Sequence, residues 1–328
     1  NAEPLMEAEQ TIARRQLAIR NVVAADAMGI KGKVKISNQK SDNNITIAND
    51  SMIVAFSKTT GLIETYKVSG RDLLGEGGTI KPNFWRAVTD NDMGAQMQKK
   101  FKVWRNPQMN LKQITSTKTK IGKDKAAKVM AVYDMPEVKA TLTITYIIDA
   151  NGTIEITQTM DATEGEKISD LFRFGMEMQL PYAMDNSRYY GRGPIENYID
   201  RKLSQNIGIY SQTAEEQFYP YIRPQETGTK SDIRWWEQTT KEGCGLRISS
   251  SQPFYAGAIH YSIDKLDDGD EKEQRHSYQV KKSKYTHLTI DSEHYGVGGV
   301  NSWGAWPLPQ HRVNYGDKTM TIVVKPIK

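Results

Sequence analysis

Short runs in which apolar and polar residues alternate recur along most of the chain, and a period of two fits a half-buried strand rather than a helix. Examples are Ile45-Thr46-Ile47, Ile53-Val54-Ala55-Phe56, Thr141-Leu142-Thr143-Ile144-Thr145-Tyr146, Thr153-Ile154-Glu155-Ile156-Thr157 and Met320-Thr321-Ile322-Val323-Val324. Turn signals such as Asn49-Asp50, Thr60-Gly61, Asn151-Gly152, Glu242-Gly243 and Asp268-Gly269 separate the runs at the spacing antiparallel hairpins require. Helical periodicity is weak and confined to residues 7–20 and 215–218. These patterns predict an all-β chain, with enough antiparallel strands for a large sandwich.

The 328 residues are ample for a sizeable core. Residues 31–43, rich in Lys, Ser, Asn, Asp and Gly, read as an exposed connector, with one continuous domain over 44–328 and too few residues in 1–30 to close a core of their own. The chain opens Asn1-Ala2-Glu3-Pro4 without an initiator Met and is expected to be a portion of a longer polypeptide. The charge-dense run 264–276 reads as a solvated hairpin tip.

Composition excludes several partners. An excess of 44 basic over 39 acidic residues, scattered along the chain, is too small for a nucleic-acid surface. No apolar run approaches the roughly 18 residues of a membrane span. A single cysteine, Cys244, allows neither an internal disulfide nor a cysteine zinc site. There is no Gly-Xaa-Ser-Xaa-Gly elbow, phosphate loop or dinucleotide fingerprint, and the five histidines show no ligand-type spacing. The carboxylate pairs Asp90/Asp92, Glu196/Asp200 and Glu215/Glu216 could serve glycoside hydrolysis, but turn capping and salt bridges to Arg86, Arg201 or Lys202 explain them more simply.

Three segments crowd aromatics, Arg, Pro and amides together. They run over 82–92, over 189–201 with its continuation through 219–228 to Arg234-Trp235-Trp236, and over 296–309. Aromatic faces stack on the C–H side of a pyranose while Arg, Glu, Asn and Gln bond its hydroxyls, so the composition points to sugar. Internal pairing of the polar residues and burial of Trp85, Trp104 and Trp236 is the alternative. Trp303, in a Gly-rich loop, is expected to be partly exposed.

Trp85-Arg86-Ala87-Val88-Thr89-Asp90-Asn91-Asp92, Tyr190-Gly191-Arg192-Gly193-Pro194-Ile195-Glu196-Asn197-Tyr198-Ile199-Asp200-Arg201, Pro224-Gln225-Glu226 and Ser302-Trp303-Gly304 resemble, in order and spacing, the C-terminal domain of family 2 β-galactosidases over about residues 44–328. Val88, Ile195, Ile199 and Val300 depart from that pattern, the last replacing an acid beside Trp303. The resemblance implies a galactose-mutarotase-like β supersandwich, with 1–30, including Glu7-Ala8-Glu9-Gln10, as the closing strand of a preceding immunoglobulin-like domain. It implies that the catalytic carboxylates lie in an upstream (β/α)8 barrel, so that this chain has no catalytic residue or cofactor of its own, while a parent enzyme uses Mg or Na. It further implies a carbohydrate substrate, the barrel as partner and a homo-oligomeric parent of bacterial type, with a periplasmic and a cytoplasmic compartment both left open. Trp303 is implied as an aromatic platform at the active site, with Gly94 opening a bordering loop over 94–103. Asn91, Arg192, Glu196, Asn197, Glu226 and Arg234 are candidate sugar contacts. Two alternatives stand beside this reading. One is a free-standing carbohydrate-binding module. The other is an aldose epimerase-like enzyme, which needs a histidine and a carboxylate facing each other across the anomeric carbon.

Overall fold

A computed structural model describes residues 7–9, 11, 14–17, 19, 20, 23–29, 32–273, 275–299, 301 and 304–327. Among them the alternating runs become seventeen strands and the helices are single turns. The strands are β1 (Lys35–Ser37), β2 (Asn44–Ala48), β3 (Met52–Ser57), β4 (Ile63–Val68), β5 (Arg71–Asp72), β6 (Ile80–Asn83), β7 (Asn110–Ile121), β8 (Asp124–Met135) and β9 (Ala140–Ile148). They continue with β10 (Ile154–Ala162), β11 (Arg173–Pro181), β12 (Asn186–Gly193), β13 (Asn206–Thr213), β14 (Lys230–Thr239), β15 (Gly245–Ile259), β16 (Tyr285–His294) and β17 (Lys318–Ile327). The helices are α1 (Asp90–Gly94), α2 (Met97–Lys100), α3 (Ala214–Gln217) and α4 (Ile263–Leu266).

Pairing is antiparallel throughout and follows two paths that meet on β15. One runs β7-β8-β9-β10-β17-β15-β14-β12-β13. The other runs β1-β2-β3-β4-β6-β11-β16-β15. β15 is long enough to serve both, giving residues 245–249 to β17 and 255–259 to β16. The two paths stack face to face. Phe56 of β3 meets Tyr146 of β9 edge-on at 4.8 Å, and the Tyr66 hydroxyl donates to the Gly152 carbonyl at 2.6 Å. One continuous apolar core unites them, so the expected antiparallel supersandwich is the fold.

The three tryptophans read as core are buried. Trp236 stacks on Tyr189 at 4.7 Å, Trp104 donates to the Ser169 carbonyl, and Trp85 donates to Asp267 at 2.6 Å. Other expectations need revising. The connector 31–43 contains β1, which pairs with β2 because Ile36 falls opposite Ile47. Among the described residues of 1–30 there is neither helix nor strand, whereas 214–217 does form α3 under a Thr213/Glu216 capping box.

The run 264–276 lies in the connection between the antiparallel strands β15 and β16, with Asp264, Lys265, Glu271, Lys272 and Glu273 exposed, but it is not solvated throughout. It begins in α4, and the side chains of Asp267 and Asp268 are buried, the first on the Trp85 indole and the second on Arg223 and Arg275 at 2.8 and 2.7 Å. Trp85 and Arg223 lie 182 and 45 positions away, which a count of local charge does not register. Burial raises the Asp267 pKa against the bonds it accepts.

Candidate functional site

The first and third aromatic segments come together at one end of the sandwich. Thr89 caps α1 and shares a capping box with Asp92, whose carboxylate also takes both contacts from Arg86 at 2.9 and 3.1 Å. Arg86 is fully buried over the Phe172 ring and donates to the carbonyls of Tyr295 and Gly296. Gly304, at φ +81°, packs against Gly94, where an added Cβ would lie 2.3 Å from the Gly94 carbonyl carbon. The two loops are therefore held in close contact.

Beside this contact lies a cleft of about 140 Å³. Asp90, Asn91, Arg201, Tyr221, Gln225 and Glu226 are among the residues that line it. Asn91 donates to the Val297 carbonyl at 3.3 Å, and Gln225 bridges Asp90. Such a wall offers amide, guanidinium, phenol and carboxylate groups, the chemistry that bonds sugar hydroxyls.

The expected contact residues divide between this cleft and other places. Asn91 and Glu226 line it, whereas Gly94 is not among its lining residues and lies against Gly304. Glu196 stands just behind, its carboxylate taking bonds from the Gly228 amide at 2.8 Å, Thr227 at 3.1 Å, Arg201 at 2.6 Å and the Tyr221 hydroxyl. Asn197 is 0% exposed; its amide donates to the carbonyls of Arg192 and Ile195 and its oxygen accepts from the Ser231 amide. Arg192 and Arg234 lie elsewhere, on a separate depression with Tyr190, Ile207, Gln16, Leu17, Ile19 and Arg20. There Arg192 is engaged by Asp232 at 2.8 Å and by the Gln205 carbonyl, and Arg234 lies over the Tyr190 ring. Trp303 and Ser302 lie outside the described residues. The carboxylate pairs have the simpler explanation: Asp92 and Glu196 hold arginines, Glu216 caps α3, Glu215 pairs with Lys282, and Asp200 accepts backbone amides.

Beneath the cleft is a buried polar cluster. Arg173 lies between Glu226 at 2.9 Å and Asp291 at 3.3 Å, with His294 Nε2 at 3.2 Å. Tyr198 and Thr229 complete the shell of Glu226. Burial pushes the Asp291 carboxyl up to about 7 even with Arg173 beside it. Burial also opposes the Arg173 charge, but Asp291 and Glu226 hold its pKa above the ordinary value. Burial and the Arg173 and Arg86 cations keep His294 well below its usual pKa, so the imidazole is neutral. The available signal for this cluster was a charged residue inside each of two apolar runs, Leu171-Phe172-Arg173-Phe174 and Leu288-Thr289-Ile290-Asp291.

Histidine–carboxylate pairs do occur among the described residues, at His287–Glu177 and His294–Glu226. Both are enclosed, with side chains at most 7% exposed, so neither presents an acid and a base across an open site.

A family model described as beta galactosidase small chain matches residues 48–324, and the chain belongs to that family. It is 30% identical over 290 residues to a beta-galactosidase of Priestia megaterium and 31% identical over 292 residues to one of Lactobacillus delbrueckii subsp. bulgaricus. Each match covers 88% of this chain but only 27% of the relative, so the chain spans about a quarter of their length. Solved structures of similar outline include a galactose 1-epimerase from Lactobacillus acidophilus, with TM-score 0.48 and 9% identity over 90% of this chain and 98% of that one. Another is a putative aldose 1-epimerase from Escherichia coli, with TM-score 0.44 and 11% identity over 90% and 99%.

Proposed function

We propose that the chain is the non-catalytic C-terminal domain of a family 2 β-galactosidase and completes the sugar-binding active site of a retaining parent that hydrolyses terminal β-galactosides. The observation that carries this reading is the small-chain match over 48–324 in a chain that spans only 27% of relatives named beta-galactosidase. Retaining hydrolysis needs one carboxyl to protonate the leaving oxygen and a second to form the glycosyl intermediate. In this reading both come from an upstream barrel, as does any Mg or Na. The chain contributes the cleft wall around Asn91, Arg201, Tyr221 and Gln225, the Gly94 loop, and Trp303 as an aromatic platform.

The chain alone is expected to turn over no aryl β-galactoside, and the same chain joined to its upstream region is expected to do so. Turnover by the chain alone that disappears on Asp90→Asn or Glu226→Gln would overturn the assignment. Micromolar binding of galactose by the isolated chain would instead favour a free-standing module, because a half-site should reach only about millimolar affinity, about 4 kcal/mol.

Trp303→Ala in the joined enzyme should weaken substrate binding by about 1–3 kcal/mol, the scale of one large aromatic contact, with little change in melting temperature. A loss of about 3–5 kcal/mol in folding stability would make Trp303 a core residue instead.

A further inference from the structure

Residues 295–298 form the stem of the Gly-rich loop, and their backbone groups are engaged one after another. The Tyr295 amide donates to the Phe172 carbonyl and the Gly296 amide to the His311 carbonyl, both at 2.8 Å. Arg86 donates to the carbonyls of Tyr295 at 2.5 Å and Gly296 at 2.9 Å. Asn91 donates to the carbonyl of Val297. The Asp200 carboxylate accepts from the next two amides, Val297 at 3.2 Å and Gly298 at 2.9 Å. Gly296 leaves room for that carboxylate, since a Cβ there would stand 2.4 Å from Asp200 Oδ2.

A glycine-rich segment has little side-chain burial and much backbone freedom, so these contacts select its conformation. Their sources are telling. Arg86 and Asn91 belong to the first aromatic segment, Asp200 to the second, and residues 296–298 of the stem to the third. Residues whose types suggest sugar recognition here bind the protein's own backbone. Arg86 is held rigid by its two bonds to Asp92 and by the Phe172 ring beneath it.

We propose that Arg86 and Asp200 are positioning residues for the sugar site: one through the carbonyls and the other through the amides, they clamp the 295–298 stem against α1, and affinity for the galactoside depends on that clamp although neither side chain touches substrate. This rests on the reading of the chain as part of a β-galactosidase active site. A loosened stem displaces a binding surface rather than the reacting carboxylates, so the effect belongs in KM.

The test uses Asp200→Asn and Gly296→Ala. The asparagine keeps the size of the aspartate but turns one acceptor into a donor facing an amide, and the alanine pushes the carboxylate away. In the joined enzyme each should raise KM for p-nitrophenyl β-galactoside about tenfold with kcat within about threefold, and the double variant should do no more than either single, as expected of one shared device. In the isolated chain, hydrogen exchange at the Val297 and Gly298 amides should quicken by about tenfold or more in Asp200→Asn, with the strands unchanged.

Unchanged exchange at those amides overturns the clamp. Faster exchange with unaltered KM in an active enzyme, or a fall in kcat alone, overturns its role in sugar affinity. An inactive joined wild-type enzyme refutes the β-galactosidase reading, and the exchange measurement still decides the clamp.

Discussion

Arg173→Met is expected to destabilise the chain by about 3–5 kcal/mol, the cost of leaving buried carboxylates without their cation. Glu226 and Asp291 lie on either side of Arg173 with side chains at most 7% exposed, and Asp291 is held in β16 where it pairs with β11. The sign of the pH dependence follows from Asp291. Its folded pKa of about 7 lies above the unfolded value, so the folded state holds the extra proton between about pH 4 and 7 and stability falls as pH rises through that window. Without the cation, ionising Asp291 is harder still. The loss in Arg173→Met should therefore be smaller at pH 5 than at pH 8, and adding Asp291→Asn should recover part of it. Denaturant unfolding at the two pH values checks this. A loss below about 1 kcal/mol, or strict additivity of the two substitutions, would contradict the picture of a coupled cluster.

The second large effect concerns Lys230, at the start of β14. It is 1% exposed, its Nζ donates to the Gly228 carbonyl at 2.7 Å, and burial pulls its pKa down to about 7, with Glu196 opposing the shift. A lysine whose pKa falls on folding costs stability wherever both states are protonated. The full cost applies below pH 7 and disappears as pH rises towards the unfolded value near 10.4. A shift of this size corresponds to about 4–5 kcal/mol. The wild-type chain should thus become more stable from pH 7 to 10, by up to about 1.4 kcal/mol per unit, before the buried tyrosines Tyr66, Tyr146 and Tyr198 begin to titrate. Lys230→Met should remove this slope and be several kcal/mol more stable than wild type at pH 6, less the bond to Gly228. Parallel stability–pH curves for the two proteins would refute the assignment.

Trp85 and Trp236 show what is local and what is not. That both could be core residues was one of the two readings their sequence allowed. That Trp85 donates to Asp267, 182 positions away, and Trp236 lies flat on Tyr189 was part of neither. The same division applies to the candidate site. The ordered motifs identified the family, and two of their residues, Asn91 and Glu226, line one cleft. Reading Arg and Asn as sugar-binding types could not separate Arg192 and Arg234, which lie on another face, from Asn197, whose amide is used inside the chain.

Strand alternation is a property of neighbouring residues, because successive side chains on an extended backbone point to opposite faces. The sequence by itself therefore determined the all-β architecture, the antiparallel hairpins and most of the core. Only the tertiary structure decided which charges meet. Arg86 reaches the carbonyl of Tyr295 across 209 positions, Asp200 the amide of Val297 across 97, and Arg173 the carboxylate of Glu226 across 53. The energy of a buried ion depends on the partner the fold places within a few ångströms and on the water it excludes. Neither is encoded by position along the chain, which is why the burial of Asp267 and Asp268 within the run 264–276 and the Arg173 cluster emerge only once the strands are paired.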